Sequence, residues 1–196
     1  DLKIAANSAE VFGGFVNARS KEELLDLFGS YRQEAIAAYD PTGQTDFTGM
    51  LTMVNTDKVW AEPARFTARA FSEKGYPAYV YLYSYVAEAM KSRMRYGASH
   101  ASEIPYVFNN LSVRNGASVS NKDQIVASML NTYWANFAKT GNPNDKDLPN
   151  WPIHQKEKGG IMEFTDSGIG IGRQDPQKLR LDLMEKMSEE LIFDKK

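Results

Sequence analysis

Residues 76–85 constrain the fold of this chain more than any other stretch. They read Tyr-Pro-Ala-Tyr-Val-Tyr-Leu-Tyr-Ser-Tyr, and five of the ten are tyrosine. Tyr79, Tyr81, Tyr83 and Tyr85 stand at alternate positions. In an extended strand their rings share one face, and Val80 and Leu82 line the other. Large amphipathic rings suit a half-buried strand and read first as sheet packing, provided each hydroxyl finds a partner. A strand buried on both faces needs neighbours. The chain offers only residues 2–6, the apolar end of a strand followed by a turn at 7–10, and residues 161–164.

Everything else with periodicity is helical. Ser20 with Glu23 three residues later reads as a capping box ahead of 21–28, with Gly29 as the stop. Residues 31–39 form a second short helix ended by Asp40-Pro41, and 40–46 are turn-rich. Over 47–74, Val54, Trp60, Phe66, Ala70 and Phe71 recur at helical spacing, with Pro63 opening a new helix and Gly75 ending it. Residues 86–99 are an excursion with a basic tip. A helix over 102–110 is limited by Pro105, and 112–122 are polar turn. The clearest helix covers 123–138, with Ile125, Val126, Met129, Leu130, Tyr133, Trp134 and Phe137 as a broad apolar stripe, and Gly141-Asn142-Pro143-Asn144 stops it. Trp151-Pro152 closes a loop. Residues 179–193 are amphipathic, with Leu181, Met184, Met187 and Leu191 on one side. Gly168, Gly170 and Gly172 read as loop. So little sheet beside so much helix means either that further strands leave no visible signal or, the favoured reading, that the sheet is completed by other polypeptide, with residues 1–196 as one portion of a single α/β domain.

A hydrophobic fraction of 42% supports a real core and argues against disorder. The net charge of -2 leaves no basic excess for nucleic acid, and Lys91, Arg93 and Arg95 read as a solvated face. There is no cysteine, which excludes disulfides and thiolate zinc sites and leaves secreted, periplasmic and cytoplasmic locations all open. No apolar run is long enough for a transmembrane segment. The start Asp1-Leu2-Lys3-Ile4 has neither an initiator Met nor a signal peptide, and it reads as a processed, cleaved or truncated beginning.

Chemistry points to His100 in the run Gly97-Ala98-Ser99-His100-Ala101-Ser102-Glu103-Ile104-Pro105-Tyr106-Val107-Phe108. Histidine is the usual general base near neutral pH, and in α/β sheets functional loops follow the C-terminal ends of strands. The plainer reading is a turn histidine donating to a backbone carbonyl. Glu10 and Glu103 are the candidate acids. Glu10 also reads as a surface residue. Glu103 shares a helical face with His100 if both are helical, and could instead pin the loop or cap the helix that follows. Ser99 and Ser102 lie on no strand-turn-helix elbow, and no Gly-x-Ser-x-Gly occurs in the chain. His154, in a loop rich in Lys and Gln, reads as exposed and inert. The eight methionines are core filler first, with Met90 and Met94 beside the basic tip as exceptions.

The segment around His100 resembles the catalytic-histidine motif of type-B carboxylesterases, the family that includes the cholinesterases. Residues 76–81 resemble the strand that delivers it. The run from Asn131 through Tyr133-Trp134-Ala135-Asn136-Phe137 to Gly141-Asn142-Pro143-Asn144 is similar to the family's late helix and its exit, and Trp151-Pro152 falls in step. Ile4-Ala5-Ala6-Asn7-Ser8-Ala9-Glu10 resembles the segment with the catalytic glutamate. Ala5 and Val11 stand where the family pattern has glycine, with Phe12-Gly13-Gly14-Phe15 close behind.

The resemblance implies the C-terminal part of an α/β-hydrolase that acts on carboxylic esters. His100 takes the place of the base, Glu10 of the acid that orients it, and Glu103 of a supporting acid nearby. Met90, Met94 and Tyr96 border the expected pocket. The partner is an N-terminal part of the same enzyme, carrying the serine of Gly-x-Ser-x-Gly and the oxyanion hole. The other ligand is a small-molecule ester, and no cofactor or metal is implied. A catalytically inactive adhesion or interaction module is the alternative, against which the retained His100 argues. A fragment with no function of its own is the third.

Overall fold

The computed structural model describes residues 15–112, 118–155 and 158–193. The strand expected at 2–6, the turn after it, Glu10 and residues 12–14 lie outside them. Two compact units divide the chain: the residues up to Ala70 together with those from Asp175 onward, and residues 71–174.

In the first unit, α1 (Lys21–Asp26) starts where Ser20 accepts the Glu23 N–H at 3.1 Å. The reciprocal bond differs from the expected box, because the Glu23 carboxylate accepts the N–H of Arg19 at 2.9 Å instead of that of Ser20. At Gly29 the chain passes straight through a 3-10 turn (Gly29–Tyr31) into α2 (Arg32–Tyr39). Asp46 caps α3 (Phe47–Thr56) by accepting the Gly49 N–H at 2.7 Å. A π turn (Asp57–Ala61), closed by Glu62 N–H to Asp57 C=O, joins α3 to α4 (Glu62–Glu73) without a break. Pro63 therefore opens no separate helix. It sits second in α4, just after the widened turn, where its missing N–H interrupts the ladder least.

The face that α4 buries is not the aromatic one expected from spacing. Arg65, Ala68 and Arg69 are buried, whereas Trp60, Phe66 and Phe71 are exposed. The reason lies in α7 (Lys178–Phe193), which presents Asp182 and Glu185. Arg65 bonds Asp182 at 2.7 Å and Glu185 at 3.1 Å, and Arg69 also pairs with Glu185. Planar guanidinium forks can be buried when carboxylates meet them. The core beside them joins Leu24, Phe28, Tyr39, Met50, Val54 and Met184. In α7, Leu181, Leu183 and Met184 are buried and Met187 is partly so.

Asp57 is fully buried, with Arg180 Nε at 3.0 Å from its carboxylate. Burial nonetheless pushes its carboxyl up to about 6, against the pull of Arg180 and the neighbouring Tyr39, and with Asp175 adding to the rise. The folded state thus holds the proton more tightly than the unfolded chain. The stability this contributes is full well below pH 4 and is lost, by about 3 kcal/mol in all, as pH rises through 6 to about 7. Urea unfolding at both ends of that window should show the stability gap between the natural protein and Asp57→Asn narrowing or reversing by that amount. A gap independent of pH would mean Asp57 titrates alike folded and unfolded.

In the second unit, strand β1 (Tyr81–Tyr83) is shorter than the expected 76–85. It pairs in parallel with β2 (Gly160–Phe164), which pairs antiparallel with β3 (Gly170–Gln174). The residues ahead of β1 stay bonded without forming a ladder. Ala78 C=O accepts His154 N–H at 2.8 Å, and Val80 C=O accepts Met162 N–H at 2.9 Å and the Trp151 indole at 3.0 Å.

Strand β3 overturns the reading of Gly170 and Gly172 as loop. A Cβ on Gly172 would lie 2.2 Å from the Asn150 carbonyl oxygen, so only glycine lets the two backbones approach. The tyrosine rings pack against other aromatic rings, but the expected condition that each hydroxyl finds a partner fails at Tyr83, whose buried hydroxyl makes no hydrogen bond to the described residues. Tyr81 lies 5.1 Å from Trp134, Tyr79 lies 6.2 Å from Trp151, and Tyr83 and Tyr85 both reach Tyr106.

The long helix α6 (Asn121–Thr140) begins two residues before the expected start, because Ser120 is its N-cap in a complete capping box with Asp123. It ends at Gly141, whose φ of 74° supplies the left-handed cap. Its buried line is Asp123, Val126, Ala127, Leu130 and Tyr133, narrower than the expected stripe; Ile125 and Phe137 are exposed.

Candidate active site

His100 lies on the excursion that leaves the C-terminal end of β1. After Tyr83 the chain runs through Tyr85 into a 3-10 turn (Glu88–Met90), then through tight turns to His100 and into α5 (Ile104–Val107). The expected helix over 102–110 shrinks to this single turn, with Pro105 in its opening positions and Asn131 of α6 donating to the Val107 carbonyl at 2.8 Å. His100 is exposed. The turn around it is closed by Ser102 N–H to Ser99 C=O at 3.1 Å. Ala101, next in the chain, holds φ at 62°, a left-handed conformation that costs an alanine about 1–2 kcal/mol. Strain of this kind persists where the surroundings over-determine a conformation.

Glu103 and His100 do not share a helical face, since both lie ahead of α5. Nor does the Glu103 side chain cap that helix. Its carboxylate is within 3.4 Å of the Tyr81 hydroxyl, linking the histidine turn to β1. Burial, reinforced by the Glu103 charge, pushes Tyr81 up to about 12, so the phenol keeps its proton for this contact near neutral pH. Glu10 lies outside the described residues.

Met90 and Met94 are half-buried one helical turn apart on the excursion, joined by Met94 N–H to Met90 C=O at 3.0 Å. Tyr96 is exposed, with the Arg95 guanidinium 5.4 Å from its ring centre. At the foot of the excursion Lys91 meets Glu88 at 3.1 Å and Asp166 at 3.2 Å, and Lys122 meets Glu88 at 3.0 Å. The basic character there is thus partly neutralised.

His154 is not exposed. It is fully buried, with Nδ1 3.0 Å from the Gly160 carbonyl and its backbone N–H on Ala78. Its place is between the start of β2 and the lead-in to β1, where a flat ring with a polar edge fits between two backbones.

The residue that sequence reasoning passed over is Asp123. It is fully buried. One carboxylate oxygen accepts the Ser120 N–H at 2.8 Å and the Ser120 hydroxyl at 2.7 Å, and the other accepts the hydroxyls of Tyr85 at 2.8 Å and Tyr106 at 3.0 Å. Burial alone would raise its pKa, but these donors outweigh it and hold the carboxyl below its ordinary value. Only the Ser-x-x-Asp spacing of the cap was visible beforehand. Among the described residues, no three His, Asp or Glu side chains gather as a metal-ligand group, and no helix is long and apolar enough to cross a membrane.

A parallel strand pair, packed helices and a histidine turn beyond the strand end are features of an α/β-hydrolase. The sequence profile of the carboxylesterase family matches residues 12–181. The chain belongs to that family. It is 31% identical over 144 residues to carboxylesterase 1E of Mus musculus, covering 69% of this chain and 24% of that protein. With carboxylesterase 4A of Bos taurus it shares 36% over 98 residues, covering 50% of this chain and 18% of that one. A crystallised carboxylesterase of Geobacillus stearothermophilus superposes with a TM-score of 0.62 and 28% identity, covering 83% of this chain and 34% of that chain. The fold is therefore part of an α/β-hydrolase fold, and the chain spans about a fifth to a quarter of the curated relatives quoted.

Proposed function

We propose that this chain is the histidine-bearing portion of a serine carboxylic ester hydrolase. The observation that supports this best is His100: exposed, on a strained turn beyond the end of β1, in a chain of the carboxylesterase family. In the complete protein, a serine on polypeptide N-terminal to Asp1 attacks the ester carbonyl. His100 takes the hydroxyl proton and returns it to the leaving alcohol as the C–O bond breaks. Water then attacks the acyl-enzyme with the same base, releasing the acid and restoring the serine. Glu10 holds the ring in the productive tautomer, and backbone amides upstream hold the oxyanion. Glu103, bonded to Tyr81, supports the turn from the strand side.

Release of the alcohol from a short-chain aryl ester tests the division of labour. The complete protein is expected to turn over, and to be silenced by a serine-directed phosphonate. Residues 1–196 alone are expected to show no hydrolysis above the buffer rate, because a base without its nucleophile offers no covalent route. Ordinary esterase rates from this polypeptide, free of any second one, would refute the assignment.

A further inference from the structure

Residues 86–105 form the excursion that carries His100. Local backbone hydrogen bonds within it include Met90 to Ala87 at 2.8 Å, Gly97 to Met94 at 3.2 Å and Ser102 to Ser99 at 3.1 Å. Side chains attach it to the rest of its unit. The Lys91, Glu88 and Lys122 pairs are exposed, and such pairs hold weakly. The buried attachment is different. Tyr85 immediately precedes the excursion and Tyr106 immediately follows it, and both hydroxyls end on the same oxygen of Asp123. Their rings meet edge-on with centroids 5.6 Å apart. The other oxygen of Asp123 alone serves the helix cap. Capping α6 therefore leaves the tyrosine-facing oxygen free for a second task. Joining the two ends of a loop at a buried, charge-assisted point removes much of its freedom.

We propose that Asp123 is a positioning residue for His100: through Tyr85 and Tyr106 it closes the neck of the excursion and fixes where the imidazole stands. This rests on the reading of His100 as the base. Asp123 touches no reacting atom. Its effect reaches the chemistry only through the placement of the turn, and misplacement of a catalytic group by about 1 Å can cost about 100-fold in rate.

The test uses the complete enzyme, a short-chain aryl ester, and rates normalised to sites titrated with a phosphonate. Asp123→Asn and the double variant Tyr85→Phe/Tyr106→Phe are expected to lower kcat about 10- to 100-fold with KM within about threefold. Ser120→Ala, which removes a cap donor but leaves both tyrosine bonds, should keep kcat within about twofold. Asp123→Asn placed in a His100→Ala background should add no further loss. If the Asp123 or double variant does not fold, Tyr85→Phe and Tyr106→Phe singly carry the same comparison. Normal kcat in the folded variants overturns the proposal. So does an equal loss in Ser120→Ala, or an additional loss on top of His100→Ala. If His100→Ala itself leaves turnover intact, the reading of the base falls first and this role falls with it.

Discussion

If the proposed function holds, replacing His100 with Ala in the complete protein is expected to lower kcat for a short-chain aryl ester on the order of 10,000-fold, with KM changed by less than about threefold. The size follows from the work the proposed mechanism gives one imidazole: removing the serine proton, donating it to the departing alcohol and repeating both transfers with water. Ground-state binding of the ester needs none of these transfers, so KM should hardly move. The variant should fold normally, because His100 is exposed. Turnover within a factor of ten of the natural protein, at unchanged thermal stability, would remove His100 from the mechanism.

Replacing Trp151 with Ala is expected to cost about 3–5 kcal/mol of folding stability, read as a lower urea midpoint. Trp151 is almost wholly buried, and its ring lies 5.3 Å from Tyr133, 5.5 Å from Trp134 and 5.8 Å from Phe164. It also meets Tyr79 and Tyr81 edge-on, so one side chain joins the lead-in to β1, the strand itself, β2 and α6. Few positions are shared by so many elements. Trp151→Phe should cost only about 1 kcal/mol, because Val80 C=O keeps its bond from Met162 N–H when the indole donor is lost. Equal losses in the two variants would place the stabilisation in the indole hydrogen bond and not in ring packing.

Much of the local structure was legible in the residues because short-range rules decide it. Ser20 caps a helix, Gly141 ends one, and the tyrosine rings of 79–85 pack against other aromatic side chains. The failures share a cause. Trp60, Phe66 and Phe71 sit at helical spacing yet point outward, because α7 supplies carboxylates that make burying Arg65 and Arg69 favourable. Gly170 and Gly172 carry no side-chain periodicity, so β3 left no hydrophobic signal; the close pass of Asn150 is what demands glycine at 172. His154 read as exposed, although its loop placement was right, because its partners, Gly160 and Ala78, announce themselves only by position in space.

The candidate site divides in the same way. The residue types and order around His100 marked the family and proposed the base, since a catalytic turn must present particular atoms at fixed intervals along the chain. That Glu103 answers to Tyr81, and that one buried carboxylate gathers both ends of the histidine excursion, was decided by folding alone. Asp123 lies 38 positions from Tyr85 and 17 from Tyr106. No periodicity spans such separations, and only the packing of α6 against β1 and α5 brings those hydroxyls to a common oxygen.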